Sequence, residues 1–409
     1  MKIYISGISG TGMGPLALMA KQAGMEVCGS DLEEGAIYDE LKHAGIEVKI
    51  GEQDGEFLQE KIEEGLDWFV YTSALPKDHP ELVLAKGAGV KCTKRDDLTA
   101  YLVDELGLKM VAVAGTHGKT TTTAMIAWAA LELYLPVSYI VGTTLGFARS
   151  GSYKPGDQYF VYEADEYDRN FLKYHPWLAV IPTISYDHPD IYPTEDDYKK
   201  AFLQFKSQSK KVIAGEFLDS DFELAGEVRR KDAGLAFLAV REILNDLGLT
   251  VDESKIRQIL NEFPGVGRRF ERICNGLYSD YAHHPEEIAA TMEIAQEECE
   301  RLHKRGIVVV YQPHQNTRQY EVREEYHDAF EGADKIYWLP TFLTRENPDL
   351  PVLTPQDLAK ELKNKDAVSL ADLSKGLETA VRNDLRDGYL VVLMTAGPAD
   401  KWLRKRFSK

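Results

Sequence analysis

The chain has 409 residues, of which 44% are hydrophobic, 28% charged and 10% aromatic. This length predicts two to four domains, and the composition is that of a globular protein and not of a disordered one. The formal net charge of −18 argues against a general binder of nucleic acid or of anionic membranes, because phosphates are repelled on average. A single local cationic pocket remains compatible with this charge.

The N-terminus and the cysteines indicate the compartment. The chain begins MKIYISGISG, which lacks the apolar run of a signal peptide, and no stretch of about 18 apolar residues predicts a membrane span. The four cysteines are widely scattered and form no CxxC pair, so we expect free thiols and no zinc site. They are Cys28, Cys92, Cys274 and Cys299. A cytoplasmic protein without disulfides is predicted.

Three segments begin with a strand-like run and continue with a helix-like pattern. The predicted elements are the strand Lys2–Ser6 before the helix Leu16–Ala23, the strand Met110–Ala114 before the helix Thr120–Leu133, and the strands Gly306–Gln312, Lys335–Pro340 and Tyr389–Ala396. Short apolar runs separated by helix-length stretches indicate parallel sheets that are covered on both faces. We therefore predict three α/β domains, with joints near Gly107 and Arg272. The segment Thr354–Asp384 is predicted to form helices outside the third sheet.

The first glycine-rich turn is Gly7-Ile-Ser-Gly10-Thr-Gly12-Met-Gly14, between a predicted strand and a predicted helix. Such a turn directs backbone N–H groups and a helix dipole at a phosphate. Asp31 follows a second predicted strand, at about the distance at which an acid holds the ribose of NAD. The G-x-G-x-x-G pattern is incomplete because residue 15 is proline. The turn predicts a phosphate-bearing ligand, with NAD(P) as one candidate and a turn without a ligand as the alternative.

The second glycine-rich turn is Ala114-Gly-Thr-His-Gly-Lys-Thr-Thr, directly after a predicted buried strand. Its amides are placed to surround phosphates, Lys119 to neutralise their β/γ oxygens, and the Thr120 hydroxyl to bind Mg²⁺. The loop is shorter than the usual G-x-x-x-x-G-K-[ST], whose first glycine would fall at Val113. We predict a phosphate-binding loop here; a purely structural turn is the alternative.

Acids and a histidine follow the next strands of the same segment. The strand-like run Phe160–Ala164 leads into the acids Glu163, Asp165, Glu166 and Asp168. Carboxylates at the carboxyl end of a strand beside a phosphate loop are placed to hold Mg²⁺, although a solvated acidic loop would have the same sequence. His188 follows the strand-like run Trp177–Thr183. Its position predicts a ligand or phosphate contact, with a structural histidine as the alternative.

The third segment contains a concentration of basic and imidazole side chains. They are Arg268, Arg269, Arg272, His283, His284, His314 and Arg318, together with the acid Asp280. In a chain of charge −18 this local positive density predicts the recognition of an anion. Surface arginines that are paired with acids are the alternative interpretation.

Nine blocks in this order resemble the Mur ligase family, whose members build the peptide stem of peptidoglycan. The blocks are GISGTGMG, GSD, YTSALPKDHPE, AGTHGKTTTTAM, EADEYDRNFL, DHPDIYPT, GVGRRFE, DYAHHPEEI and YQPHQNTR. Within the family, THGKTTTT, DYAHHP and QPHQNTR resemble most closely the branch that joins L-alanine to UDP-N-acetylmuramate. The alternative is the branch that attaches the tripeptide L-Ala-D-Glu-diaminopimelate to the same sugar nucleotide.

The resemblance implies a fold and a reaction. A Rossmann-like domain over residues 1–107 would bind the UDP-sugar, a P-loop ATPase-like domain over 108–272 would bind ATP, and a Rossmann-like domain over 273–409 would bind the amine. The implied reaction phosphorylates the lactyl carboxylate with ATP, and the amine of L-alanine then displaces phosphate from the acyl phosphate. Implied cofactors are ATP and two Mg²⁺ ions. A cytoplasmic monomer or weak homodimer that binds neither nucleic acid nor membrane is expected.

The resemblance also implies roles for individual residues. Those implied as catalytic are Lys119, Glu163 and His188, and those implied as metal ligands are Thr120, Glu163 and His188. The implied ATP contacts are Gly115, Thr116, His117, Gly118, Lys119, Thr120, Thr121, Arg269 and Asp280. The implied UDP-sugar contacts are Gly10, Thr11, Gly12, Met13, Ser30, Asp31 and Ser73. The implied contacts of the amino-acid substrate are His283, His284, His314 and Arg318.

The chain departs from the family in two linked places. The family usually has a Gly-x-His-Asn-x-x-Asn segment whose amide contacts adenine, and here Val228, Arg229 and Asp232 replace its three polar positions after Gly226. An amide both donates and accepts hydrogen bonds, whereas arginine only donates and an aspartate only accepts. Relatives also carry roughly sixty more residues before this segment. Either this is a compact lineage with altered base contacts, or its use of nucleotide is weakened.

Two other classes of protein share part of this pattern. An NAD(P)-dependent oxidoreductase would account for the first turn and Asp31, but not for the phosphate loop. A non-catalytic nucleotide-binding protein would account for the altered adenine segment.

Overall fold

The computed structural model describes residues 1–72, 75–188, 191–215, 222–344 and 346–407. Contacts divide the chain into two compact units, one formed by residues 1–222 and 231–264, the other by residues 223–230 and 265–409. Three mostly parallel sheets, two in the first unit and one in the second, are covered by helices. The predicted α/β class is therefore confirmed.

The first sheet is entirely parallel, with the order β3-β2-β1-β4-β5. Its strands are β1 (Lys2–Ser6), β2 (Glu26–Asp31), β3 (Glu47–Ile50), β4 (Trp68–Tyr71) and β5 (Lys91–Lys94). Its helices are α1 (Gly14–Gln22), α2 (Tyr38–His43), α3 (Glu56–Glu63), α4 (Pro80–Gly87) and α5 (Arg95–Glu105). The strand order reverses between β1 and β4, so the usual ligand crevice lies at the carboxyl end of β1.

The second sheet has the order β11-β10-β6-β9-β7-β8, and only its edge strand β8 is antiparallel. Its strands are β6 (Lys109–Val113), β7 (Val137–Ile140), β8 (Gly151–Ser152), β9 (Tyr159–Glu163), β10 (Leu178–Ile181) and β11 (Lys211–Ala214). Its helices are α6 (Lys119–Glu132), α7 (Glu195–Gln208), α8 (Glu227–Leu247), whose first residues belong to the second unit, and α9 (Glu253–Asn261). Because β10, β6 and β9 are parallel neighbours, the loops after them share one edge.

The first two sheets pack closely within the first unit. A continuous buried apolar cluster includes residues of both, among them Leu16 on α1 and Phe160 on β9. At β8 the approach is so close that a Cβ on Gly151 would lie 2.1 Å from the carbonyl oxygen of Pro15 on α1. Any residue larger than glycine at this position would therefore push α1 and β8 apart.

The third sheet, in the second unit, has the order β12-β13-β17-β14-β15-β16, and only β12 is antiparallel. Its strands are β12 (Glu271–Cys274), β13 (Leu277–Asp280), β14 (Ile307–Gln312), β15 (Lys335–Trp338), β16 (Val368–Leu370) and β17 (Leu390–Thr395). Its helices are α10 (Pro285–Arg301), α11 (Asn316–Val322), α12 (Pro355–Ala359), α13 (Lys375–Arg386) and α14 (Ala399–Phe407). The carboxyl ends of β13, β17 and β14 are adjacent.

The segment 354–384 is not purely helical, which corrects one prediction. Between α12 and α13 it contains β16, which pairs in parallel with β15 at the edge of the third sheet. The strand has three residues, and Ser369 and Leu370 are both exposed, so the sequence carries no buried apolar run that would indicate it. The predicted joint near residue 272 falls inside β12, which pairs with β13 of the third sheet.

Two further predictions concern the state of the cysteines and the presence of membrane-spanning helices. All four cysteines are free thiols, as predicted, and each is half-buried. Among the described residues, no helix combines the length and the apolar character needed to cross a bilayer.

Candidate functional site

The first glycine turn is held by its own backbone and by two side chains. Gly7 has a positive φ of 77°, and its N–H donates to the carbonyl of Ser30 over 2.8 Å. One carboxylate oxygen of Asp31 accepts hydrogen bonds from the backbone N–H (2.9 Å) and the hydroxyl (2.7 Å) of Ser9. The candidate residue Asp31 therefore shapes the turn. Of the other candidates, Thr11 is exposed and the Met13 side chain lies in the core.

A buried carboxylate joins β1 and β2 next to this turn. Glu81, which is 1% exposed, accepts hydrogen bonds of 2.6 Å from the hydroxyls of Tyr4, Ser6 and Ser30. The Ser30 hydroxyl is thus engaged inside the protein, and this candidate residue faces the turn through its backbone. Ser73, another candidate UDP-sugar contact, lies outside the described residues.

Replacing Glu81 with Ala is expected to lower the free energy of unfolding by about 2–4 kcal/mol, because three buried hydroxyls lose their shared acceptor. Urea denaturation of the whole chain measures the change. The matched control is Glu60→Ala on α3, an exposed position at which the change should stay within about 0.5 kcal/mol. Equal stabilities of the two variants would contradict this role of Glu81.

The phosphate loop between β6 and α6 requires glycine at two positions. Gly115 has a φ of 155°, and a Cβ there would lie 2.7 Å from the carbonyl oxygen of Thr183. Gly118 has a φ of 83°, and its Cβ would lie 2.6 Å from a carboxylate oxygen of Asp232. The Thr116 N–H donates to Thr183 O over 3.0 Å, which ties the loop to the residues after β10. The loop is therefore tightly shaped from both sides.

Lys119 is engaged by the loop and by a buried acid. Its Nζ donates to the carbonyl oxygens of Gly115 (2.5 Å) and Thr116 (3.2 Å), and lies 2.9 Å and 2.8 Å from Oε1 and Oε2 of Glu166. Burial opposes the charge on Lys119, but Glu166 and Asp165 outweigh it and raise the pKa of the amine. Burial opposes the charge on Glu166 as well, and Lys119 outweighs it and lowers the pKa of that carboxyl. The two side chains therefore form a buried ion pair.

Glu166, which the sequence interpretation named only as one of several acids placed to hold Mg²⁺, lies between two candidate site residues. It is 1% exposed, and its Oε1 also lies 3.6 Å from Nε2 of His188. It therefore stands between the lysine and the histidine that the sequence predicted for phosphate and metal. The signal was its place among the three acids that follow β9, but sequence alone does not tell which acid turns inward.

The predicted metal ligands Thr120 and Glu163 lie together. The Thr120 hydroxyl donates to Oε1 of Glu163 over 2.9 Å, and Oε2 of Glu163 is buried without a hydrogen-bond partner among the described residues. A Cβ on Gly142 would lie 2.8 Å from this oxygen, so glycine leaves the carboxylate its space. An orphaned carboxylate oxygen beside a hydroxyl fits a hard cation such as Mg²⁺. The third predicted ligand, His188, lies with its Nε2 3.6 Å from Oε1 of Glu166 and has a positive φ of 59°.

One residue of the segment 226–232, where the family usually contacts adenine, lies next to the phosphate loop. Asp232 is 3% exposed, and its Oδ1 accepts a hydrogen bond of 3.1 Å from the Thr122 hydroxyl on α6. This carboxylate therefore supports the start of α6. Val228 and Arg229 are half-buried at the start of α8. Gly226 has a φ of 82°, and a Cβ there would overlap with Ile294 of α10.

In the second unit, Asp280 is buried at the end of β13. Its two carboxylate oxygens accept hydrogen bonds from the backbone N–H groups of Phe270 (2.6 Å) and Ala282 (2.8 Å). Burial raises its pKa although Arg269 opposes that shift. This candidate residue thus ties the loop before β12 to the carboxyl end of β13.

The predicted arginine cluster is partly assembled. The guanidinium groups of Arg268 and Arg269 lie 4.5 Å and 5.3 Å from the centre of the Tyr281 ring, and Arg268 also donates to the carbonyl of Thr395 over 2.7 Å. Arg272 lies exposed on β12. Two of the three arginines therefore meet at the carboxyl ends of β13 and β17.

The three candidate histidines of the second unit lie at the same edge. The ring centroids of His283 and His314 are 5.7 Å apart, and Nδ1 of His283 lies 3.0 Å from Oε2 of Glu287. His284 caps α10 through its side chain. Arg318 is the third residue of α11, which begins four residues after the end of β14. The structure thus pairs His283 with His314 and gives His284 a helix-capping contact.

Three family models each match one part of the chain. Residues 2–105 match the domain described as Mur ligase family, catalytic domain; residues 113–221 match the Mur ligase middle domain; residues 268–397 match the Mur ligase, glutamate ligase domain. A UDP-N-acetylmuramate–L-alanine ligase of Carboxydothermus hydrogenoformans is 31% identical over 97% of this chain and 94% of the relative. That alignment spans 453 positions, more than the chain has residues, so the chain lacks segments that the relative carries.

Two solved structures share the fold over almost the whole length. The UDP-N-acetylmuramate-alanine ligase of Thermotoga maritima superposes with a TM-score of 0.77 at 22% identity, covering 100% of this chain and 98% of the other. The murein peptide ligase of Psychrobacter arcticus superposes with a TM-score of 0.62 at 21% identity, covering 99% and 98%. At these identities the likeness concerns the fold.

Proposed function

The chain belongs to the Mur ligase family, and from this premise we propose that it joins L-alanine to the lactyl carboxylate of UDP-N-acetylmuramate at the expense of ATP. The observation that carries the proposal is the phosphate loop after β6, beside which Lys119 contacts Glu166 and the Thr120 hydroxyl contacts Glu163. The similarity to a relative named for this reaction supports it. The attachment of a tripeptide to the same sugar nucleotide is the second candidate, supported by the fold shared with a murein peptide ligase.

The reaction needs activation because a carboxylate is a poor electrophile. A lactyl carboxylate oxygen attacks the γ-phosphorus of ATP, the bond to the β-phosphate oxygen breaks, and an acyl phosphate and ADP result. The neutral amine of alanine then attacks the acyl carbon, phosphate leaves, and the nitrogen loses a proton. The positive charge of Lys119 stabilises the phosphates as negative charge shifts during the transfer of the γ-phosphoryl group.

Thr120, Glu163 and His188 are the residues that would hold Mg²⁺. The orphaned Oε2 of Glu163 beside the Thr120 hydroxyl supports this assignment. When bound, Mg²⁺ neutralises charge on the phosphates. The histidines at the carboxyl ends of β13 and β14 are proposed for the amine substrate, and the cytoplasm, which contains ATP and sugar nucleotides, is the proposed compartment.

The proposed reaction is tested with UDP-N-acetylmuramate, ATP and a panel of amines. Phosphate release is measured with L-alanine, L-serine, glycine and the tripeptide L-Ala-D-Glu-diaminopimelate, and the products are identified by mass. We expect release with L-alanine and a product that is heavier by one alanine residue. Turnover with the tripeptide alone would favour the second candidate, and no ATP-dependent product with any amine would contradict both.

Replacing Glu163 with Gln is expected to raise the Mg²⁺ concentration needed for half-maximal activity by at least about tenfold, because the amide removes the negative charge at the proposed ligand. A Mg²⁺ titration at saturating ATP and sugar nucleotide measures the change. Glu132→Gln, on the exposed opposite end of α6, is the control. An unchanged Mg²⁺ requirement in both variants would remove Glu163 from the metal site.

A further inference from the structure

Arg95 lies against the first glycine turn, although no motif in the sequence indicated it. It is the first residue of α5, and its guanidinium reaches the turn that follows β1. A Cβ built on Gly12 would lie 3.0 Å from Nη1 of Arg95. The space beside Gly12 is thus occupied by one end of this guanidinium, and a larger residue at position 12 would displace it.

The other end of the guanidinium is held by a buried acid. Nε and Nη2 of Arg95 both donate to Oδ1 of Asp96, over 3.4 Å and 3.3 Å, and Asp96 is 2% exposed. The hydroxyl of Tyr174 donates to the same oxygen over 2.9 Å, and that of Tyr162 over 3.4 Å. The acid is therefore fixed by two tyrosines, and it fixes the plane of the guanidinium in turn.

The remaining guanidinium nitrogen of Arg95, Nη1, is the one that lies beside the first glycine turn. In the described ranges of the chain, Nη1 of Arg95 makes no hydrogen bond, whereas Nε and Nη2 do. Nη2 also lies 3.9 Å from a carboxylate oxygen of Asp165 in the loop after β9. A half-buried guanidinium with two of its nitrogens engaged and the third facing a glycine turn is prearranged for an oxyanion, since little side-chain entropy is lost on binding.

We propose that Arg95 is a substrate-binding residue of this site, whose Nη1 binds an oxyanion of the sugar nucleotide at Gly12. The inference rests on the proposed function, which supplies the sugar nucleotide as the ligand. Two groups of that ligand share the required chemistry, the diphosphate and the lactyl carboxylate. The glycine turn, with its backbone N–H groups and the start of α1, favours the diphosphate.

Direct binding by calorimetry tests the proposal in the full chain. We expect Arg95→Met to weaken the binding of UDP-N-acetylmuramate by about 10- to 100-fold, as for the loss of a charged hydrogen bond, with the binding of ATP changed less than twofold. Arg95→Lys keeps a positive charge beside Asp96 but has no second nitrogen to reach the turn, so it should fold normally and still bind less tightly. UDP-N-acetylglucosamine has the diphosphate but no lactyl group. Its binding therefore distinguishes the diphosphate from the lactyl carboxylate as the group that Arg95 binds.

The binding of the two sugar nucleotides to these variants identifies the group that Arg95 contacts. Equal weakening for both sugar nucleotides assigns Arg95 to the diphosphate, and weakening for UDP-N-acetylmuramate alone assigns it to the lactyl carboxylate. The matched control is Lys94→Met, which removes the same charge one position away at a lysine that pairs with Asp168. The proposal is overturned if both Arg95 variants bind UDP-N-acetylmuramate as the wild type does, or if Lys94→Met weakens binding equally. Failure of the wild type to bind any UDP-sugar would overturn the proposed function itself.

Discussion

Replacing Lys119 with Ala is expected to reduce ATP-dependent ligation by at least about 10³-fold. The amine is the cation within the phosphate loop, so its loss leaves the charge that develops on the transferred phosphoryl group without its nearest side-chain partner. The variant also leaves Glu166 buried without its partner, which adds negative charge beside the phosphates. Steady-state rates of phosphate release and of product formation measure the loss.

The control for Lys119 lies on the same strand-loop-helix segment. Lys109 is the first residue of β6, at the opposite end of the strand from the phosphate loop, and pairs with Asp246 on α8. Lys109→Ala should keep ligation within about twofold of the wild type. Full ligation activity in Lys119→Ala would contradict the assignment of ATP binding to this loop.

Replacing Glu166 with Gln is expected to lower the free energy of unfolding by about 3 kcal/mol in the absence of nucleotide, because the variant leaves a buried lysine without its counter-charge. The phosphates of ATP would supply that missing charge. We therefore expect Mg-ATP to raise the melting temperature of Glu166→Gln by more than it raises that of the wild type.

Thermal unfolding with and without Mg-ATP measures this difference. Asp168→Asn is the matched control, since Asp168 is a more exposed acid two positions further along the same loop and pairs with Lys94. Its response to Mg-ATP should equal that of the wild type. Equal nucleotide-induced shifts in Glu166→Gln and the wild type would mean that Glu166 and the phosphates do not alternate as partners of Lys119.

The strands and turns that carry the site were predictable because their signals are local. β1 and β6 are buried apolar runs, and each is followed by glycines whose positive φ values or close contacts leave no room for a side chain. The strand β16 was not predictable, because it is a short edge strand whose only specification is its pairing with β15. Its sequence carries neither alternation nor a buried run.

The residues that the sequence missed are those whose role depends on tertiary contacts. Glu166 is one of three acids that follow β9, and only the fold turns it toward Lys119. Arg95 belongs to no motif, and only the packing of α5 brings it to Gly12. In the sequence, Glu81 has the pattern of an ordinary acidic residue in the first turn of a helix. In the fold, three hydroxyls from other elements donate hydrogen bonds to it. Burial of a charged side chain is a property of the assembled fold, so a single sequence does not report it.

The hydrogen bonds from Lys119 to the carbonyl oxygens of Gly115 and Thr116 have a thermodynamic consequence. They close the phosphate loop on itself, so its backbone loses conformational freedom when the protein folds and not when nucleotide arrives. Nucleotide binding must instead exchange the contacts of one amine for contacts with phosphate oxygens. The heat of that exchange, more than any ordering of the loop, should then dominate the calorimetric signature of ATP binding.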